Sequence, residues 1–91
     1  MPGTECGWYG IECDASGNYI THISLYENNL SGTIPPELGD LKYLYLLYLW
    51  GNKFEGSIPP ELFKLSVLYR LSLSQNYLNG SIPRELGNLK I

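Results

Sequence analysis

The chain has few basic residues and no long apolar stretch, and these two shortages exclude two broad classes of function. Six Lys and Arg stand against nine Asp and Glu, for a net charge of −3, and the basic residues form no cluster. A nucleic-acid-binding surface needs such a cluster, so we expect no nucleic-acid partner. The longest apolar run covers residues 43–50, whereas a helix that crosses a bilayer needs about 20 apolar residues. We therefore expect no membrane insertion.

Side chains for catalysis and for metal binding are also scarce. The chain has a single histidine, His22, and its serines fall at positions that a repeat fixes, so no Ser/His/Asp or Cys/His arrangement is credible. Three carboxylates recur at one repeat position, but each lies at the start of a short helical turn, where an acidic residue is favoured without any catalytic role. These are Glu37, Glu61 and Glu85. We predict a protein that is not an enzyme and that holds no cofactor and no metal.

A 24-residue repeat occupies most of the chain and follows an N-terminal stretch, residues 1–18, that does not repeat. The repeats cover residues 19–42, 43–66 and 67–91, and Leu25, Leu49 and Leu73 align in them, as do three Ile-Pro pairs. A fixed period in the twenties is typical of a solenoid, in which each unit buries its apolar face against its neighbours.

Each repeat predicts a short strand, a turn and a return without a regular helix. In the central repeat, strand alternation places Leu47 and Leu49 on the inner face, and Tyr48 and Trp50 on the outer face. The Pro59-Pro60 pair bars an α-helix. We expect strands near residues 22–26, 46–50 and 70–74, a second extended piece at residues 57–58, and a 3₁₀-like turn at residues 61–65.

An asparagine follows each predicted strand, at the point where the chain must turn. An amide side chain both donates and accepts hydrogen bonds, so a stacked column of such residues would pair the buried polar atoms of the turns. The predicted ladder consists of Asn28, Asn52 and Asn76.

The repeat pattern itself resembles a known family. It appears here as IxxISLYENNLSGTIPPELGDL, LxxLYLWGNKFEGSIPPELFKL and LxxLSLSQNYLNGSIPRELGNL. These sequences resemble the plant-type leucine-rich repeats of receptor-kinase ectodomains, receptor-like proteins and polygalacturonase inhibitors, with departures at Phe54, Glu55, Phe63 and Asn79. The resemblance implies a right-handed leucine-rich repeat solenoid of the α/β class, with short 3₁₀ turns instead of full helices and a single parallel β-sheet on the concave face.

The segment Cys6-Gly7-Trp8-Tyr9-Gly10-Ile11-Glu12-Cys13 resembles the close of the N-terminal cap of that family. The resemblance implies a Cys6–Cys13 disulfide, in a loop whose Trp8 can cover the open end of the first repeat. Reduced core thiols and a metal site are the alternatives.

The predicted compartment follows from the cysteines. A disulfide implies an oxidising environment, and the resemblance likewise implies an extracellular or cell-surface location. The stretch MPGTEC lacks the features of a signal peptide, so we expect a mature or truncated form. In a secreted protein the sequons at Asn29 and Asn79 are possible glycosylation sites.

The outer face of the strands is the candidate recognition surface, because its residues are not fixed by the repeat. Exposed aromatic residues and arginine are common anchors of protein interfaces, although Tyr and Trp also simply suit strands. The candidate partner-binding residues are Tyr26, Tyr48, Trp50, Arg70, Glu27, Ser72 and Ser74. They predict a protein or peptide ligand in preference to a glycan.

The resemblance implies a recognition module in cell-surface signalling or defence, with a receptor kinase among the possible partners. One alternative is an inhibitor of a cell-wall hydrolase such as polygalacturonase. Another is a structural module that self-associates through an uncapped C-terminal end, where an apolar edge is expected around Leu73, Ile82, Leu86 and Leu89.

Overall fold

The computed structural model describes residues 5–79, which form short strands and 3₁₀ segments. We use coil 1, coil 2 and coil 3 for the parts of the chain that begin at residues 19, 43 and 67. In chain order the elements are η1 (Glu5–Gly7), β1 (Ile11–Cys13), β2 (Ile20–Ser24), β3 (Ser31–Thr33), η2 (Pro36–Asp40), β4 (Leu46–Tyr48), β5 (Lys53–Gly56), η3 (Pro60–Lys64), β6 (Arg70–Ser72) and β7 (Tyr77–Leu78).

Two sheets run along the coils. The larger sheet has the strand order β1-β2-β4-β6, and its β2, β4 and β6 are parallel, with Leu47 opposite Ile23 on one side and Leu71 on the other. The smaller sheet has the order β3-β5-β7 and is also parallel. The predicted solenoid of parallel strands and 3₁₀ turns is confirmed. The expectation of a single sheet was incomplete, because the chain stays extended after each turn and pairs a second time.

The N-terminal segment covers the first coil by strand pairing. Strand β1 runs antiparallel to β2, with Ile11 opposite Ile23, so it closes the edge of the larger sheet that coil 1 would otherwise leave open. Trp8 was expected to provide this cover, but it is 60% exposed. The backbone of β1 therefore closes the sheet edge, and the indole remains available to solvent.

The core lies between the two sheets and the 3₁₀ segments. Its side chains come from equivalent positions of successive coils, so each coil completes the apolar layer of its neighbour. The buried hydrophobic residues are Ile23, Ile34, Leu44, Leu47, Leu49, Phe54, Leu62, Leu65, Leu68, Leu71 and Leu73.

The 3₁₀ segments η2 and η3 of neighbouring coils pack closely against each other. Each begins at the second of two prolines, whose missing N–H is not needed at the start of a helical turn. A Cβ added at Gly39 of η2 would lie 2.5 Å from the backbone oxygen of Glu61. The two segments approach so closely that only glycine, which has no Cβ, fits at this position.

Several predicted bounds differ from the structure. The first strand begins two residues earlier than expected, at Ile20, and β4 and β6 end at Tyr48 and Ser72, two residues before the predicted ends. The second extended piece was predicted at residues 57–58 and lies instead at Lys53–Gly56. It follows the turn directly, where it pairs with β3 and β7 and the Phe54 N–H donates to the Asn76 amide oxygen. Of the predicted apolar edge, Leu73 is buried, and Ile82, Leu86 and Leu89 lie outside the described residues.

Candidate recognition face

The outer face of the larger sheet brings the predicted partner-binding residues into rows. Strand pairing aligns Tyr48 with Ser72, and Leu46 with Arg70. Backbone hydrogen bonding between the coils continues beyond the ends of the strands. The Glu27 N–H donates to the Trp50 carbonyl at 3.0 Å, and the Gly51 N–H donates to the Ser74 carbonyl at 3.0 Å. Tyr26, Trp50 and Ser74 therefore form the next row.

Tyr26 and Trp50 form a stacked aromatic pair across coils 1 and 2. Their ring centroids are 4.6 Å apart and their planes differ by 2°. Tyr26 is 41% exposed, and Trp50 is half-buried. Such a pair contributes about 0.5–1.5 kcal/mol beyond the area it buries, so the two rings hold each other in place on the sheet.

A second aromatic row, which the sequence analysis did not identify, lies near the other end of the strands. Tyr45 and Tyr69 are stacked with centroids 5.5 Å apart, and the His22 ring is 5.8 Å from that of Tyr45. The guanidinium carbon of Arg70 lies 5.6 Å from the centroid of Tyr69. Both tyrosines are exposed. Their 24-residue spacing was the available signal, since Tyr45 and Tyr69 occupy one repeat position.

A third tyrosine pair continues this row toward the start of the coils. The Tyr19 and Tyr43 centroids are 4.3 Å apart, with 46° between the ring planes. Both residues line a recess of about 320 Å³ together with Asp40 and Lys42. Aromatic surface therefore recurs on neighbouring coils at both ends of the strands.

Glu27 lies at the edge of the face, in a column where the backbone adopts left-handed conformations. Glu27, Gly51 and Gln75 have φ values of 54°, 73° and 57°. A Cβ added at Gly51 would lie 2.8 Å from the Cγ of Glu27, so the Glu27 side chain lies over Gly51, next to Trp50. A recess of about 460 Å³ adjoins this column and is lined by Glu27, Asn29, Gly51, Asn52, Lys53, Gln75 and Tyr77.

A protein-family model described as Leucine Rich Repeat matches residues 19–41, 43–65 and 67–89. The chain belongs to the leucine-rich repeat family. A polygalacturonase inhibitor of Vitis vinifera is 43% identical over 47 residues, which cover 50% of this chain and 14% of that protein. The matched part of the chain therefore spans about one seventh of the length of that relative.

Solved leucine-rich repeat structures from Arabidopsis thaliana have the same fold. A chain of the BIR3–SERK2 complex superposes with a TM-score of 0.82 at 36% identity, over 91% of this chain and 45% of that chain. The ectodomain of the receptor kinase HAESA, in complex with an IDA peptide hormone ligand, superposes with a TM-score of 0.79 at 35% identity. That match covers 92% of this chain and 14% of the HAESA chain.

The asparagine ladder of the leucine-rich repeats supports the face from behind. The Asn52 amide oxygen accepts from the N–H groups of Asn28 and Leu30 at 2.9 and 3.0 Å. Its NH₂ group donates to the carbonyls of Leu25, Leu49 and Trp50 at 3.0, 2.9 and 3.3 Å. The backbone that carries Trp50 is therefore fixed by a side chain that is 6% exposed.

The other two asparagines of the predicted ladder differ from Asn52. Asn76 is half-buried and bonds to the carbonyls of Leu49, Leu73 and Ser74 as well as to the Phe54 N–H. Asn28 is exposed, and its NH₂ group donates to the Tyr26 carbonyl at 3.0 Å. The side chains of Asn52 and Asn76 thus make more hydrogen bonds to the backbone than the side chain of Asn28.

The N-terminal cap of this repeat protein is closed by the Cys6–Cys13 disulfide, with the two Cα atoms 5.6 Å apart, which confirms the predicted pairing. The following turn is organised by Asp14, whose carboxylate accepts from the Ser16 hydroxyl and from the backbone N–H groups of Asn18 and Tyr19. The Ser16 hydrogen bond, followed by the backbone N–H groups, holds the pKa of Asp14 below its ordinary value.

The remaining predicted features are simple to place. Asn29 and Asn79 are both exposed. Within residues 5–79, no helix has the length and apolar character to cross a membrane. Among the same residues, no group of three or more His, Cys, Asp or Glu side chains is placed to hold a metal ion.

Proposed function

We propose that this leucine-rich repeat module is a non-enzymatic recognition unit that binds a protein or peptide on the outer face of its larger sheet. The observation that carries the proposal is the pair of stacked aromatic rows, Tyr26–Trp50 and Tyr45–Tyr69, on one regular surface. Aromatic side chains and arginine supply most hot spots of protein interfaces.

Pre-ordering of these side chains supports the proposal. Immobilising a side chain on binding costs about 0.5–1.5 kcal/mol, and rings that already pack against each other avoid part of that cost. Arg70 is likewise placed over Tyr69, and Ser72, opposite Tyr48, is a small side chain between the two rows. Glu27 adds a carboxylate at the edge.

The relatives support the same class of function. HAESA is bound to a peptide hormone ligand in its solved structure, and the polygalacturonase inhibitor of Vitis vinifera is 43% identical to this chain over half of its length. One relative is an inhibitor, and the matched part of the other is the leucine-rich repeat ectodomain of a receptor kinase. We infer an extracellular or cell-surface setting in signalling or defence, in which the Cys6–Cys13 disulfide would persist.

Peptide display against the disulfide-bonded chain tests the proposal. Peptides selected on the wild-type protein are measured against Trp50→Ala, which we expect to weaken binding by about 30-fold, equivalent to about 2 kcal/mol. Trp8→Ala is the matched control, because Trp8 is an exposed tryptophan of the cap. Selected peptides that tolerate Trp50→Ala and Tyr45→Ala, but lose affinity with Trp8→Ala, would place recognition outside this face.

Inhibition of a polygalacturonase is a second candidate function, favoured by the similarity to polygalacturonase inhibitors. It uses the same face, and the partner is then an enzyme instead of a peptide. The test measures reducing ends released from polygalacturonic acid by fungal polygalacturonases, with the chain and with its Trp50→Ala variant. Unchanged rates at high micromolar chain, across several enzymes, would remove this candidate.

A further inference from the structure

The Tyr26–Trp50 stack stops at coil 3, where the sequence supplies Ser74 in place of a third ring. Tyr26 covers one face of the Trp50 indole, so the opposite face is directed toward coil 3. Ser74 lies directly across, since its carbonyl accepts the Gly51 N–H, and its small side chain is exposed. The second indole face therefore lies above a short side chain.

The same step between coils accommodates a ring elsewhere on this face. Tyr45 of coil 2 stacks on Tyr69 of coil 3, with centroids 5.5 Å apart. The coil spacing and the sheet geometry thus permit an aromatic ring at the level of coil 3. In the row of Trp50 the chain has Ser74 at this level, so a partner can place an aromatic ring there.

The charges around Ser74 favour a neutral occupant. Glu27 and Lys53 both line the adjoining recess and have opposite charges, so they give the site no net charge. Arg70 lies four residues before Ser74, about 13 Å along an extended chain, and its guanidinium is over Tyr69. A neutral ring matches this balance, whereas an arginine would gain from Glu27 and be opposed by Lys53.

We propose a stacking subsite between the open face of Trp50 and the backbone of Ser74, which takes an aromatic side chain (Tyr, Phe or Trp) of a peptide partner. This inference rests on the proposed function and specifies the chemistry of the ligand that the face binds. The incoming ring completes a column of three and covers the indole face that faces coil 3. Offset stacking and burial of apolar area stabilise it.

The experiment uses N-acetyl-tyrosinamide as the probe and the indole Nε1–H signals of Trp8 and Trp50 in ¹H–¹⁵N correlation spectra as the readout. The Trp50→Ala spectrum assigns the two signals. Titration should move the Trp50 signal upfield and leave the Trp8 signal in place, because only Trp50 gains a stacked ring. N-acetyl-argininamide tests the cationic alternative, and N-acetyl-leucinamide tests apolar contact without a ring.

Ser74→Tyr is the decisive variant, since it fills the subsite with the chain's own ring. We expect it to weaken probe binding at least about tenfold, whereas Ser74→Ala should retain it. Ser74→Leu covers the indole without a ring and provides the same block if Ser74→Tyr does not fold. Equal movement of both indole signals, a larger response to argininamide, or binding that survives both Ser74→Tyr and Ser74→Leu would overturn the proposal.

The probe needs no natural partner, so the subsite and the proposed function can fail separately. A selected peptide that depends on Trp50 but is indifferent to Ser74→Tyr would leave the recognition face intact and refute the subsite. Loss of probe binding in Ser74→Tyr, together with selected peptides that ignore Trp50, would support the subsite and refute the wider assignment.

Discussion

The free energy of unfolding should fall strongly when Asn52 is replaced by alanine. The variant removes an acceptor from the N–H groups of Asn28 and Leu30 and a donor from the carbonyl of Leu25. These groups lie in the turn of coil 1, so the change in coil 2 affects its neighbour. In the described residues they have no second hydrogen-bond partner that would replace the amide.

Two further bonds are lost at little cost. The Leu49 carbonyl keeps a bond from the Asn76 NH₂ group, and the Trp50 carbonyl keeps one from the Glu27 N–H. Three orphaned backbone groups remain, each costing about 1 kcal/mol because solvent reaches the turn in part, for a total of about 3 kcal/mol. Urea unfolding followed by far-UV circular dichroism measures this loss, provided that the m-value is unchanged.

Asn28→Ala is the matched control for Asn52→Ala. Asn28 occupies the same repeat position but is exposed, and its side chain makes one local hydrogen bond. We expect a loss below about 0.5 kcal/mol, the range of surface substitutions. Equal losses for the two variants would show that the ladder bonds do not determine stability, and the hydrogen-bond argument would then be wrong.

Three other predictions concern the 3₁₀ stack, the cap and its first turn. Gly39→Ala should destabilise the protein by about 1–3 kcal/mol in urea unfolding, since the added Cβ would overlap the Glu61 carbonyl. Gly7→Ala is the control, because a Cβ added there meets no atom within 4 Å. Cys6→Ser/Cys13→Ser should cost about 2–3 kcal/mol, the loop entropy of a short disulfide, and thiol alkylation of the unfolded, unreduced wild type should label neither cysteine. Asp14→Asn should lower the free energy of unfolding at neutral pH and reduce the loss of stability in acid. The pKa of Asp14 is lower in the folded than in the unfolded protein, so the carboxylate stabilises the wild type above the ordinary pKa of 3.8. This stabilisation is lost as the pH falls through the lower folded pKa.

The fold was predictable because the repeats agree in phase. Each coil has leucine or isoleucine at equivalent positions, so the same alternation predicts the same inner face in every coil. Leu47 and Leu49 were expected inside, and both are buried. The position of the second strand was not predictable in this way, since it rests on backbone pairing between neighbouring coils, with an added hydrogen bond from the Phe54 N–H to the Asn76 side chain.

The second aromatic row was missed for a specific geometric reason. Ideal strand alternation places residue 45 on the same side as Leu47, which is the inner side. Strand β4 begins at Leu46, however, and before it the chain turns so that Leu44 is buried and Tyr45 is 43% exposed. Coil 3 repeats this arrangement, with Leu68 buried and Tyr69 exposed. The two-residue period therefore fails just before the strand, where the face gains its additional rings.

The three asparagines of the ladder make different hydrogen bonds because each depends on the coil that precedes it. Asn52 and Asn76 each reach back to the preceding coil, through the carbonyls of Leu25 and Leu49 respectively. Asn28 follows β2, whose neighbour on the N-terminal side of the sheet is the antiparallel β1, and β1 presents no equivalent turn to it. Its side chain therefore bonds locally. The same one-sided relation applies to the outer face, where Trp50 is covered by the ring of the coil before it and is open toward the coil after it. Support thus runs from each coil to its predecessor. Within residues 5–79, coil 2 both bonds to coil 1 through Asn52 and receives bonds from Asn76, so the part of the outer face that carries Trp50 is held from both neighbouring coils.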